Sequence, residues 1–292
     1  MPRSLSSPCS GRPRRRLPVA LLAGAALLLG ACPPPGCPNR PLGDAAQALR
    51  LHRSLRRTVE ALRGEVRVDQ RGPEGRIRGT VLMLLERPDR VRFDVLTQLG
   101  PAATLTSDGT DFQLLDVREG RYFEGPACPA NLGRLLGVAL EGEELARFLV
   151  GDTPRLPDPD PVMSCTEEGY RVLLEHEDQR QEIVLRPRAE DRDAPPAEQH
   201  LRLVRSELRR ADGSVDWRAS MDDYRLVADP RDPEGRGVAL PFRVRFVDPD
   251  LDADTLIRVK DLELLASAPD PAVFVQRPPP SASVELSPCT EE

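Results

Sequence analysis

The chain has 292 residues, 41 of them basic and 47 acidic, for a formal charge of −6. That balance argues against nucleic acid as a partner, because phosphate backbones demand a neutralising basic surface. With 31 prolines and 21 glycines, much of the length must be turns.

The first element is a targeting segment. Arg12, Arg14, Arg15 and Arg16 precede the apolar run LPVALLAGAALLLG at 17–30, which has the length of an export-signal core and is short for a membrane span. It ends in Leu29, Gly30, Ala31 and Cys32 instead of an A-x-A-like pattern. This resembles the bacterial lipobox, which implies that residues 1–31 are a cleaved signal peptide and that Cys32 carries the lipid, palmitate included. An ordinary signal with an incidental cysteine and an uncleaved anchor are the competing readings. One acyl chain binds a bilayer only reversibly, so the two or three of a lipoprotein are what hold it. Pro33, Pro34 and Pro35 make residues 32–43 a lipidated, extended spacer. Loss of Arg3, Arg12, Arg14, Arg15 and Arg16 with the signal takes the formal charge from −6 to −11.

Four cysteines then remain, Cys37, Cys128, Cys165 and Cys289, an even number suited to an oxidising compartment. Of the three pairings, Cys128 with Cys165 and Cys37 with Cys289 is favoured, one bracketing an internal segment and one tying the ends. A zinc site competes, without C-x-x-C or nearby histidine spacing to support it.

Asp44 is placed as a helix N-cap, and Leu51, Leu55, Val59 and Leu62 follow at helical spacing until Gly64. The period then becomes two: Val66 and Val68; Ile77, Val81, Met83 and Leu85; Val91, Phe93 and Val95. TSDGTDF sets Asp108 and Gly109 as a tight hairpin, with Phe112 and Leu114 continuing beyond it. A short strand at 121–124 follows. Residues 129–151 are read as two short helices, one opening on Pro129, the other with Glu143 and Glu144 at its start and Leu145, Phe148 and Leu149 on its apolar side.

Strands resume at Tyr170, Val172 and Leu174, at Ile183 and Leu185, and at Leu201 and Leu203. The charged stretch RAEDRDAPPAEQ between them is expected to be a mobile loop. Asp212 and Gly213 turn the chain into a strand with Trp217, Ala219 and Met221. Phe242, Val244 and Phe246 alternate with arginines, and in TLIRVKDLELL the alternation slips near Lys260, as a bulge would produce. Residues 278–292 form an extended tail. The expected fold is α+β: a strongly curved antiparallel sheet, an unclosed half-barrel of about 11 strands over residues 44–277, with helices covering its concave face.

GEVRVDQ, GTVLMLLERPDRVRFDVLTQLGP, the mid-chain LLGVAL and EELARFLVG, and the terminal LPFRVRFVDPDLDADTLIRVKDLEL with PDPAVF resemble the Lol-type superfamily of outer-membrane lipoprotein carriers and receptors. The resemblance runs from about residue 44 to 274 and rests on pattern and order. It implies a half-barrel with a helical lid over an apolar cavity for acyl chains, partners among lipoproteins or their carriers, and no enzymatic role. It further implies a lipid anchor on the periplasmic face of the outer membrane, since Pro33 stands where an inner-membrane retention aspartate would be expected; inner-membrane anchoring remains open. Val81, Met83, Leu85, Val91, Phe93, Val95, Phe242, Val244 and Phe246 would line the cavity, and Leu132, Leu135, Leu145, Phe148 and Leu149 would belong to the lid. Against a cavity stands a solid core made of the same side chains, which would make the protein a structural or assembly module with a protein partner. The cysteine pairs, the acidic insertion and the long tail depart from a simple receptor.

A lipid-anchored hydrolase would need a nucleophile beside a positioned base. The three histidines, His52, His176 and His200, are read as solvated, and no G-x-S-x-G, H-E-x-x-H or glycine-rich phosphate loop is present. DPDLDADT spaces carboxylates like a calcium loop but has Ala253 and Val259 where glycine and glutamate belong. No metal or cofactor is expected.

Overall fold

The structure, a computed structural model, describes residues 36–289 except 74, 99 and 236. The export segment, Cys32 and the prolines after it lie outside the described residues. Asp44 caps α1 (Ala45–Arg57), its carboxylate accepting from the Gln47 amide at 2.6 Å. Six strands follow: β1 (Ala61–Gly72), β2 (Gly75–Glu86), β3 (Arg90–Thr97), β4 (Gly100–Ser107), β5 (Asp111–Asp116) and β6 (Arg121–Pro126). Two short helices, α2 (Pro129–Leu136) and α3 (Gly142–Leu149), lead to a second run: β7 (Val162–Thr166), β8 (Gly169–His176), β9 (Gln179–Pro187), β10 (Leu201–Arg209), β11 (Val215–Val227), β12 (Val238–Asp248) and β13 (Ala253–Leu264). Last comes β14 (Ser283–Leu286).

All fourteen strands form one sheet in the order β14-β6-β5-β4-β3-β2-β1-β13-β12-β11-β10-β9-β8-β7. Every pair is antiparallel except β14 on β6. Two meanders are thus joined where β1 meets β13, and the sheet curls without closing, as so many twisted strands must. The α+β half-barrel holds, with more strands than the expected eleven. The two edge strands, β7 and β14, are short and carry no clean alternation to reveal them.

Local chemistry explains the turns. Gly109 takes φ +97° between β4 and β5 while Asp108 accepts from the amides of Thr110 and Asp111. The slip at Lys260 is a bulge: Glu65 opposes Asp261 but Val66 opposes Val259. Beside it, a Cβ on Gly64 would stand 2.6 Å from the Asp261 carbonyl, so glycine is required by close approach. The first helix ends at Arg57, well short of Gly64, because Leu62 already pairs in β1 with Leu264 and Leu85.

The connection from β6 to β7 positions the helices. It starts beside one edge of the sheet and ends at the other, so residues 127–161 must cross the inner face. Side chains from both meanders and from α2 and α3 there form one buried cluster.

The disulfides correct the favoured pairing: they are Cys37–Cys165 and Cys128–Cys289. Cys128 precedes α2 near the β14 edge and Cys165 lies in β7 at the opposite edge, so the two sit at opposite ends of the sheet order. Each bridge instead pins one chain end to one edge. The acidic insertion is also corrected, because 189–199 is no free loop. Gln199 donates to the Arg40 carbonyl and accepts from the Tyr170 hydroxyl, and Asp191 accepts from the His200 amide. Two buried polar side chains hold it, which a charged composition does not disclose. Every described strand pair and both bridges fall within Pro33–Glu292, one compact unit.

Candidate functional site

The inner face is built from cross-strand rows. Met83 opposes Phe93, Val81 opposes Val95 and Leu85 opposes Val91; on the other meander Val244 opposes Met221 and Ile257, and Phe246 opposes Ala219. Of the nine residues expected to line a cavity, Val81, Met83, Leu85, Val91, Phe93, Phe242, Val244 and Phe246 are buried and Val95 is half-buried. All nine belong to or pack on the single core.

The residues expected to form a lid share that core. Leu132, Leu145, Phe148 and Leu149 are buried, and Leu135 partly so. Phe148 meets Phe246 edge-on with ring centres 5.6 Å apart, and Trp217 stacks on Phe246 at 6.1 Å. Five cavities among the described residues, of about 200 to 910 Å³, have none of the nine in their walls. The one of about 910 Å³ is polar, with Arg67, Asp69, Arg76, Arg78 and Arg258 in its walls. Side chains of α2 and α3 thus pack into the same buried cluster as the nine.

How the lid is fastened decides what it can do. At one end the buried Thr255 hydroxyl donates to the Leu136 carbonyl at 2.8 Å, and α2 closes on Gly137 in the left-handed region. At the other end Thr153 bonds Ser206, and Gln181 donates to the Pro154 carbonyl and accepts from the Leu156 amide. Between these fastenings, residues 138–151 insert Val138, Leu140, Leu145, Phe148, Leu149 and Val150 into the core. Among the described residues, no hydrogen bond or ion pair joins 138–151 to the sheet; their bonds are internal, such as Arg147 with Glu143, or run to the next residue, Asp152, whose amide donates to the Arg147 carbonyl. This stretch is a plug held by apolar contact alone.

A polar cluster lies where the plug ends. Asp152 is paired with Arg155 at 2.9 Å, and Arg155 also donates to the Leu49 carbonyl of α1. His52 Nε2 lies 3.3 Å from Asp152 without hydrogen-bond alignment. Burial, then the Arg56 charge, lowers the imidazole to about 4, so it is neutral at neutral pH. Burial works to raise the Asp152 carboxyl, but His52 and Arg155 outweigh it and hold it below the usual carboxylate range.

His52 therefore corrects the sequence reading: it is fully buried. The buried stripe of α1 is Ala45, Ala48, His52 and Arg56, while Leu51 is only half-buried. A helix against a crowded sheet buries small residues where it must approach closely, and the leucine pattern hid that stripe. His200 is half-buried against Asp191, and His176 is exposed. Among the described residues no cluster of metal-ligating groups occurs.

No family model and no curated protein matches the chain. Solved structures do resemble it. A LolA superfamily protein from Nitrosomonas europaea is 12% identical at TM-score 0.49, covering 80% of this chain and 99% of that one. A putative outer membrane lipoprotein-sorting protein domain from Vibrio parahaemolyticus is 10% identical at TM-score 0.48, covering 77% and 94%. A DUF1329 family protein from Desulfovibrio piger is 11% identical at TM-score 0.48, covering 79% and 95%.

Proposed function

We propose that the chain is an exported lipoprotein, anchored through Cys32 at the periplasmic face of the outer membrane, that takes up acyl chains by displacing its plug and so serves lipid or lipoprotein sorting. The observation that carries this reading is the purely apolar attachment of residues 138–151. Moving them breaks no polar bond to the sheet. Returning six such side chains to water costs about 9–18 kcal/mol, and a sixteen-carbon chain entering from water returns about 12 kcal/mol. The two occupants compete on comparable terms. The Cys37–Cys165 bridge leaves a five-residue tether after Cys32, at most about 18 Å long when extended.

The filled core favours a second reading, an assembly module whose plug never leaves and whose partner is a protein. A fluorescent fatty acyl probe titrated into a soluble form starting at Pro33 separates the two. Saturable binding, lost in folded Phe93→Asp and Phe246→Asp variants, is expected for acyl uptake; a folded wild type that binds nothing supports the module. The anchor has its own check, incorporation of labelled palmitate that disappears in Cys32→Ala.

A further inference from the structure

A second pocket, about 300 Å³, lies away from the plug, under the last turn of α1. Its walls come from Ser54, Arg56 and Thr58 of α1 and its C-cap, from Arg188, from the start of β10 at His200, Leu201 and Arg202, and from the turn between β11 and β12 and the start of β12. Arg56 is only 2% exposed, yet it is charged. Its Nη1 donates to the Leu201 carbonyl at 2.9 Å, whereas Nε and Nη2 make no well-aligned hydrogen bond among the described residues, the Tyr224 hydroxyl being the side-chain group that interacts with the guanidinium. Those two atoms are one edge of the guanidinium, the edge that grips two oxygens of an oxyanion side by side. Arg202 Nε in the same wall is also buried without a partner, its guanidinium lying 5.5 Å from the Tyr224 ring centre.

A buried charge with two donors left without aligned acceptors is costly. Asp152 acts on Arg56 through its charge alone and is itself paired with Arg155, and the other acidic groups nearby are engaged elsewhere or exposed. Asp229 is engaged by the backbone amide and side chain of Arg231, Asp191 by His200, and Asp232 is exposed at the rim. Leu201, Val238 and Ala239 give the wall an apolar part beside its polar groups.

We infer that this pocket binds a phosphate group, gripped side-on by Arg56 and supported by Arg202, with room for a few methylenes on the apolar wall. The site does not depend on the plug leaving. A lipid headgroup and free phosphate present the same chemistry.

The test is calorimetric titration of the form starting at Pro33, in chloride buffer, with inorganic phosphate and separately with dihexanoyl phosphatidate. Saturable binding of at least one is expected, weakened tenfold or more in Arg202→Gln and in Arg56→Lys, with thermal melts showing both variants folded. Binding of phosphatidate alone assigns the site to a lipid headgroup; binding of both assigns it to the phosphate itself. Arg202 is half-exposed, so its variant tests the site even if the buried Arg56→Lys fails to fold. The inference is overturned if neither ligand binds saturably at millimolar concentration, or if folded variants bind as wild type does.

Discussion

His52 shows what a single buried side chain can impose on the fold. Unfolded, its imidazole titrates near 6.5; folded, at about 4. Between those values the unfolded chain takes a proton that the fold excludes, so stability falls as pH falls through this window, by about 3 kcal/mol in all. Asp152, held below its ordinary value, adds its loss only at more acidic pH. A melting series from pH 7 to pH 4 should therefore decline for wild type and flatten for His52→Leu. Parallel slopes for the two proteins would mean that the histidine is not buried neutral. Phe148 carries the other residue-scale consequence, because it packs edge-on against Phe246, where the proposed acyl chain would have to replace it.

At the scale of elements, the lid is two helices of eight residues each, too short to persist alone. Their stability is borrowed from the core and from a few fastenings. Thr255→Val keeps the shape of the side chain but removes the bond to Leu136, a loss of about 1 kcal/mol or somewhat more. Faster hydrogen exchange in α2, with β12 and β13 unchanged, is the expected result; unchanged exchange in α2 would show that Thr255 does not restrain it. Much of this layer was legible beforehand. Pro129 and the glutamates at 143 and 144 marked both helices, Asp108-Gly109 and Asp212-Gly213 marked two hairpins, and the phase slip at Lys260 marked the bulge. The His52, Asp152 and Arg155 cluster was not legible, since His52 stands far in sequence from the other two and meets them only through α1 packing beside the β6 to β7 crossing. The bridges were misassigned for the same reason: their geometry depends on which strands are edges.

The whole molecule follows from one topological fact, that the chain leaves the sheet near one edge and re-enters at the other. That crossing lays the plug over the inner face, and the two bridges secure the chain ends at β7 and near β14, where an open sheet is most exposed to unwanted pairing. The fold thus combines a pinned frame with one stretch, residues 138–151, fixed by apolar contact. Exchange of that stretch for an acyl chain is the central claim. Its most direct test is hydrogen exchange of the form starting at Pro33, with and without a saturated sixteen-carbon fatty acid. The account predicts that amides of 138–151 exchange at least tenfold faster with the ligand bound while β2, β3 and β12 stay protected. Absence of saturable binding, or binding that leaves the protection of 138–151 unchanged, would contradict it.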